Sequence, residues 1–215
     1  MDTRHESWWH DATFYAIYPL GFCSGADGAP IHAITRDLDR VARLGFSALY
    51  LGPLFESGSH GYDTHDYFRV DARLGGDDDL AELVAAAHER GIRVVVDGVY
   101  NHVGRGFWAF ERLRAEGPES AYRSWFRGVD FSRDNRFGDG FVYEGWEGVE
   151  ELVSLNHDEP AVRDHLIEAA LHAVKRYDVD GIRLDVAYLL PPEFLRELVG
   201  RLRGARHDVW VMGEV

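Results

Sequence analysis

This sequence is poor in cysteine and has no long apolar run. Its 215 residues include one cysteine, Cys23, so an intrachain disulfide is excluded, and we expect this side chain to be a buried or strand-end thiol. No apolar run approaches the ~18 residues that a membrane-spanning helix needs. Residues 1–10 also lack the apolar stretch of a signal peptide, and these features together predict a cytoplasmic protein.

Positive charge is also scarce. The chain has 23 Lys and Arg against 37 Asp and Glu, a formal net charge of −14. Nucleic acids and anionic membranes are bound through basic surfaces, so this charge argues against both as partners. A neutral or a cationic ligand is compatible with it. The apolar content of 46% and the length allow a full hydrophobic core, in one large domain or two small ones.

What the sequence does contain is a regular alternation of β-branched runs and amphipathic segments. The predicted strands cover 13–22, 47–51, 92–99, 181–186 and 209–213. The predicted helices cover 35–44, 77–90, 160–177 and 191–203, the first with Thr35 as its cap. Residues 56–73 are predicted to be a loop. Strands that alternate with helices are typical of an α/β fold with a parallel sheet.

Five strands are too few to close an α/β barrel, which needs eight. The sequence therefore predicts a partial TIM (β/α)8 barrel made of strands 1–5, with a small insertion between strand 3 and helix 3. Residues 1–102 would form the first part of the barrel, 103–156 an inserted subdomain, and 157–215 the continuation through strand 5. We expect the chain to be the N-terminal portion of a longer protein. The open sheet edges of the chain by itself would favour self-association.

Two carboxylates follow neighbouring predicted strands. Asp185 ends the fourth strand and Glu214 ends the fifth. Adjacent strands are ~4.8 Å apart, so these groups should lie roughly 5 to 6 Å from each other, the separation that retaining glycosidases use. Arg183, two residues before Asp185, should point the same way and favour its ionised form. Asp185 is then the candidate nucleophile and Glu214 the candidate acid/base; the alternative is a structural ion-pair network at the barrel rim.

Two further segments carry candidate binding residues. Asp97 ends the third strand and His102 follows five residues later, which suits a polar ligand, although the spacing does not match a zinc site. A histidine of this kind is also often a hydrogen-bonded structural residue. Tyr62, next to Gly61, could stack on a sugar, or it could simply fix the loop that follows the second strand.

In order and spacing, six segments of the chain resemble the α-amylase family, glycoside hydrolase family 13. The resemblance extends over essentially the whole chain and rests on residues 11–19, 45–53, 60–63, 97–102, 181–185 and 213–214. The segment from Gly106 to Phe126 is most similar to the neopullulanase and cyclomaltodextrinase branch. The resemblance implies a retaining enzyme that acts on α-glucosidic bonds.

The resemblance also implies a role for each candidate residue. Asp185 would be the nucleophile and Glu214 the acid/base, and four residues would bind the substrate or support the site: Tyr62 beneath the sugar, His102 on its hydroxyls, Arg183 orienting the nucleophile, and Asp97 as a buried support. The family's third carboxylate, an Asp after strand 7, lies beyond residue 215. Calcium near Asn101 is disfavoured because Ser154 stands where calcium-dependent members have Asp, so no cofactor is expected.

The predicted function is hydrolysis, with retention, of α-glucosidic bonds in maltodextrin and starch-type glucans. As an incomplete catalytic domain, the chain alone is expected to be inactive. Two alternatives stay open: an α-glucan transglycosylase or isomerase that uses the same carboxylates, and a non-catalytic sugar-binding fragment. The expected partner in each case is an oligosaccharide or polysaccharide α-glucan.

Overall fold

The protein is described from a computed structural model, which covers residues 7–23 and 30–215. The strands are, in chain order, β1 (Phe14–Ile17), β2 (Ala48–Leu51), β3 (Phe55–Ser57), β4 (Thr64–Val70), β5 (Arg93–Gly98), β6 (His102–Gly104), β7 (Gly145–Trp146), β8 (Val149–Ser154), β9 (Gly181–Leu184) and β10 (Trp210–Gly213). The α-helices are α1 (Pro19–Phe22), α2 (His32–Arg43), α3 (Asp77–Glu89), α4 (Trp108–Glu116), α5 (Pro160–Tyr177) and α6 (Pro192–Ala205).

The main sheet has five parallel strands in the order β1-β2-β5-β9-β10. Each strand lies next to the one that follows it in the barrel sequence, with α2, α3, α5 and α6 in the connections. This is the order of consecutive strands in a (β/α)8 barrel, so the predicted partial barrel is confirmed. Within the described residues the sheet does not close, and β1 and β10 are its open edges.

The sheet is strongly curved. Phe14 of β1 and Trp210 of β10 belong to the two outermost strands, yet their rings stack with centroids 4.8 Å apart. The indole nitrogen of Trp8, in the turn of 3₁₀-helix Trp8–His10, donates a hydrogen bond to the carbonyl of Asp208 at 3.1 Å. These contacts fill the interior of the curved sheet at the N-terminal ends of its strands.

The helices cover the convex side of the sheet. Alternation along β5 places Val94 and Val96 toward this helical layer, and both are fully buried. The longest helix, α5, begins at Pro160, which needs no amide partner, and is followed by Asp178 in the left-handed conformation. Its buried residues recur every three or four positions, which explains why the sequence period identified this helix.

Two predicted element boundaries and one predicted loop differ from the structure. The first strand ends at Ile17, because Pro19 begins the short helix α1 instead of continuing the strand. The first long helix begins at His32, so Thr35 lies inside it and is not its cap. The predicted loop 56–73 contains the antiparallel pair β3–β4, whose irregular register obscures the strand period in the sequence.

Between β5 and α5 the chain forms a second, smaller sheet. Its strands run in the order β6-β8-β7, all antiparallel, and α4 lies between β6 and β7 in the chain. The predicted boundaries of an inserted subdomain, 103–156, stay a prediction. In the described part of the chain, no helix combines the length and the apolar character required to cross a bilayer. The predicted cytoplasmic location also stays a prediction, and residues 1–6, part of the segment used for it, are outside the described residues.

Candidate active site

The candidate catalytic residues lie at the C-terminal ends of three adjacent parallel strands. Asp97 near the end of β5 pairs in register with Arg183 of β9, and Arg183 pairs with Met212 of β10. Asp185 and Glu214 directly follow β9 and β10. Because side chains alternate along a strand, Arg183 and Asp185 project to the same face, the concave interior of the sheet.

One guanidinium group connects all three carboxylates. Nη1 of Arg183 is 2.8 Å from Oδ1 of Asp97 and 3.0 Å from Oδ1 of Asp185, and its Nη2 is 2.8 Å from Oε2 of Glu214. A guanidinium is a rigid, planar donor, so the carboxylate oxygens of Asp185 and Glu214 are separated by roughly 8 Å or less. The structure therefore brings the nucleophile candidate and the acid/base candidate together.

Two neighbouring groups hold these carboxylates in place. The phenol of Tyr50, on β2, donates to Oδ2 of Asp97 at 2.9 Å. The backbone amide of Val186 donates to Oε2 of Glu214 at 2.9 Å. Val186 has a φ of 41°, in the left-handed region that β-branched residues rarely adopt. The strained backbone conformation of Val186 thus occurs at the residue whose amide points toward the Glu214 carboxylate.

The environment of Asp185, the nucleophile candidate, raises the pKa of its carboxyl group. Burial, followed by the charge of Asp97, raises the pKa of Asp185 to about 6, although Arg183 acts in the opposite direction. Burial also raises the pKa of Asp97. The sequence predicts that Arg183 favours ionisation of Asp185, and it does, but one cation shared among three carboxylates does not offset the cost of desolvation. At neutral pH Asp185 is mostly ionised.

These residues border a cavity of about 480 Å³. Among the sequence-predicted residues, Tyr62, His102, Arg183, Asp185 and Glu214 line it, whereas Asp97 lies beneath it and is 2% exposed. The remaining lining residues are His60, Trp146, Leu152, Val186, Tyr188 and Val215. Asp97 thus contacts the site through Arg183 and has no direct access to a ligand.

A tight loop fixes the position of Tyr62. Gly61 has a φ of 91°, and a β-carbon at this position would lie 2.6 Å from that of Pro53. The carboxylate of Asp63 accepts hydrogen bonds from the Ser59 hydroxyl at 2.8 Å and from the His60 amide at 3.2 Å. Glycine at position 61 is therefore required for the backbone to approach Pro53 and turn Tyr62 toward the cavity.

His102 forms part of the cavity wall and is 2% exposed. Burial is the main reason that its pKa falls to about 4, so the ring is neutral at pH 7. The Nδ1 atom lies 3.3 Å from the side-chain amide nitrogen of Asn101. Within residues 7–23 and 30–215, no three His, Cys, Asp or Glu side chains are arranged to hold a metal ion. That the site works without a cofactor stays a prediction.

Sequence reasoning missed part of the cavity wall. Trp146 and Leu152 belong to the small antiparallel sheet, where short strands carry no clear period. Tyr188 also lines the cavity; the residue is 54% exposed, and its hydroxyl is 3.4 Å from Oε1 of Glu147. The available signal in the sequence was an aromatic residue three positions after Asp185.

Comparison with known proteins identifies the family. The family model described as "Alpha amylase, catalytic domain" matches residues 16–203. The chain belongs to the α-amylase family. It is 34% identical to a cyclomaltodextrinase from a Bacillus species, over 97% of this chain and 41% of that protein. It is 31% identical to neopullulanase 2 from Thermoactinomyces vulgaris, over 97% of this chain and 39% of that protein.

Solved structures of the α-amylase family agree with the fold. The cyclic α-maltosyl-(1→6)-maltose hydrolase of Arthrobacter globiformis superimposes with a TM-score of 0.89 at 32% identity, covering 97% of this chain and 52% of the other. The resemblance to the cyclomaltodextrinase and neopullulanase branch is therefore confirmed. The chain spans about two-fifths of the length of the curated relatives it matches, so it corresponds to only part of each of them.

Proposed function

We propose that this chain supplies the two reacting carboxylates and part of the sugar-binding cavity of a retaining hydrolase of α-glucosidic bonds. Its substrates would be maltodextrin and starch-type glucans. The observation that carries the proposal is the Arg183 guanidinium, which contacts both Asp185 and Glu214 at the rim of a cavity lined by Tyr62 and His102. The names of the relatives, which are hydrolases of maltose-containing sugars, support the same substrate class.

The reaction would be a double displacement. The Asp185 carboxylate attacks the anomeric carbon while the Glu214 carboxyl group gives its proton to the departing glycosidic oxygen, so that the leaving sugar departs as a neutral alcohol. A water molecule then loses a proton to Glu214 and attacks the same carbon, which releases Asp185 and restores both groups. Two inversions at one carbon give net retention of configuration.

The surroundings of the two carboxylates suit this chemistry. Asp97 and Tyr50 fix Arg183 from below, and Arg183 orients Asp185. A neutral His102 can hydrogen-bond to an uncharged sugar without bringing another positive charge into the cavity. The net charge of −14 is compatible with a neutral glucan substrate.

Replacing Asp185 tests the proposal. In a polypeptide that carries this chain within a complete barrel, we expect Asp185→Asn to lower maltodextrin hydrolysis by about 10,000-fold or more, because the nucleophile is lost. A fluorinated glucosyl fluoride that traps the intermediate should label Asp185 of the unmutated protein, as shown by peptide mass spectrometry. The matched control is Asp164→Asn, an exposed carboxylate on α5, which should leave activity unchanged.

Two results would contradict the proposal: hydrolysis that survives Asp185→Asn, or products whose anomeric configuration is inverted. The 215-residue chain by itself is expected to show no turnover, because its sheet does not close within the described residues. Measured with and without an added acceptor sugar, the products also separate hydrolysis from transfer to a second sugar.

A further inference from the structure

Trp146 connects the small antiparallel sheet to the candidate active site. It ends β7 and lines the same cavity as Asp185 and Glu214. Its ring centroid is 5.5 Å from that of His102, with 34° between the ring planes. Trp146 is partly buried. The small sheet thus contributes an aromatic side chain to a site whose carboxylates come from the barrel.

The backbone around Trp146 is irregular and tightly constrained. The β7–β8 register shifts between Gly145 and Trp146, and the next residue, Glu147, has a φ of 47°. A β-carbon on Gly145 would lie 2.2 Å from the carbonyl oxygen of Val149, so only glycine fits there. Irregularities of this kind redirect side chains, and strained residues cluster at ligand sites. Here they direct the indole toward the cavity.

Two nitrogens at this position have no hydrogen-bond partner. Nε1 of Trp146 and Nε2 of His102 are both buried and unpaired. Within residues 7–23 and 30–215, these are the only unpaired buried side-chain atoms whose residues line the cavity. A buried polar atom without a partner costs about 1 to 3 kcal/mol, so a ligand that satisfies both nitrogens gains affinity.

The chemistry of the two nitrogens selects the ligand group. An indole N–H only donates, so its partner must accept a hydrogen bond, and an ammonium group cannot. A hydroxyl group accepts from Trp146, and it can donate to or accept from His102, whichever ring nitrogen of the histidine carries the proton. A carboxylate would face Asp185 and Glu214, which repel it. A neutral, hydroxyl-bearing ligand fits best.

We propose that Trp146 is a further sugar-binding residue, whose indole N–H donates to a hydroxyl group of the sugar in the cavity, the same hydroxyl that contacts His102. The inference rests on the proposed function and adds a residue that determines specificity for that hydroxyl. Because Nε1 is buried in this structure, the proposal requires the indole to turn when the sugar binds. The sugar site is then completed by the small sheet, and a substrate that lacks this hydroxyl is rejected.

Binding measurements on an inactive protein test this inference separately from catalysis. The starting protein is the complete barrel carrying Asp185→Asn, and the ligands are maltotriose and its single-deoxy analogues, measured by calorimetry. Adding Trp146→Phe keeps an aromatic ring beside His102 but removes the N–H. We expect this change to weaken maltotriose binding about tenfold. Trp108→Phe, on the outer surface and away from the cavity, is the matched control and should leave affinity unchanged.

The deoxy analogues identify the hydroxyl. One analogue should bind about tenfold more weakly than maltotriose to the starting protein, yet equally well to the proteins with and without Trp146→Phe, because its missing hydroxyl is the partner of the indole. A second readout needs no change at Trp146: the indole N–H proton resonance should move downfield when maltotriose is added. This measurement decides the question even if Trp146→Phe does not fold.

The outcomes separate the two proposals. Equal maltotriose affinity with and without Trp146→Phe, together with an indole resonance that does not move, would overturn the role of Trp146 and leave the proposed hydrolase intact. Absence of maltotriose binding to the starting protein would overturn both. Weaker binding of every deoxy analogue to the same extent in the two proteins would also refute the shared hydroxyl.

Discussion

Each end of the parallel sheet buries an aspartate, and the pKa values of these two aspartates are shifted in opposite directions. Asp97, at the C-terminal end, is 2% exposed, and Asp180, at the N-terminal end, is fully buried. Burial by itself raises the pKa of any carboxyl group. The pKa of Asp97 is raised, whereas that of Asp180 is lowered. The difference must therefore come from the neighbours of each carboxylate.

The Asp180 carboxylate is surrounded by several hydrogen-bond donors. Its carboxylate contacts Nη1 of Arg93 at 2.7 Å, Nη2 of Arg206 at 2.6 Å, Nε2 of His88 at 2.7 Å and the amide of Val94 at 2.8 Å. Burial acts to raise its pKa, but these hydrogen bonds and charges outweigh burial and lower it. The neighbouring donors therefore stabilise the ionised form of Asp180 in spite of its burial.

At the C-terminal end of the sheet, several carboxylates share one cationic side chain. Asp97, Asp185 and Glu214 share the single guanidinium of Arg183. Burial and the charge of Asp97, only partly offset by Arg183, raise the pKa of Asp185 to about 6. Both Asp97 and Asp180 are buried, so the comparison indicates that the donors around each carboxylate decide the direction of its pKa shift.

The largest effect should come from the N-terminal end. Asp180→Asn keeps the shape of the side chain but removes the anion on which Arg93, Arg206 and His88 converge. We expect the free energy of unfolding, measured with urea, to fall by about 3 kcal/mol, because the buried carboxylate is lost and Arg93, whose side chain is 40% exposed, loses its salt bridge, whereas Arg206 keeps its contacts with Asp178 and Asp208. Asp178→Asn is the matched control: it contacts the same Arg206 but is exposed, and it should cost less than about 1 kcal/mol. Similar losses in both variants would contradict the comparison.

A smaller effect is expected at Tyr50. Tyr50→Phe removes the phenol that donates to Asp97 and leaves the carboxylate with one donor fewer. We expect a loss of about 2 kcal/mol in the free energy of unfolding and a further rise in the pKa of Asp97, read from its carboxyl ¹³C resonance. Tyr15→Phe, whose hydroxyl only accepts from Arg40, is the control. An unchanged pKa of Asp97 would show that Tyr50 does not compensate its charge.

The smallest effect should have the opposite sign. The folded-state pKa of Asp185 is about 6, above the ~3.9 of an unfolded chain, so the folded state binds the proton more tightly. Its contribution to stability is complete below about pH 4 and is lost as the pH rises through 6. Asp185→Asn should therefore stabilise the fold by about 1 to 2 kcal/mol at pH 8 and by almost nothing at pH 4. Destabilisation at pH 8 would show that the Arg183 contact outweighs the cost of burial.

Local sequence determined much of this protein. The valine run at 94–96 and the period of α5 identified the strand and the helix, since burial on fixed faces leaves a visible pattern. The spacing of Arg183 and Asp185 predicted that both side chains share one face, and their 3.0 Å contact follows from the two-residue period of a strand. The chain order of the five strands likewise gave the order of the sheet.

Only the tertiary structure decided the electrostatics and the wall of the cavity. Asp180 lies 87 residues from Arg93 and 26 from Arg206, and no local period reports such contacts. The raised pKa of Asp185 depends on burial and on the charge of Asp97, which belongs to a different strand. The orientation of Trp146 follows from a register shift and a close backbone approach in short strands. Sequence patterns encode which face a residue occupies, whereas the number of partners that meet it there is set by packing between distant segments.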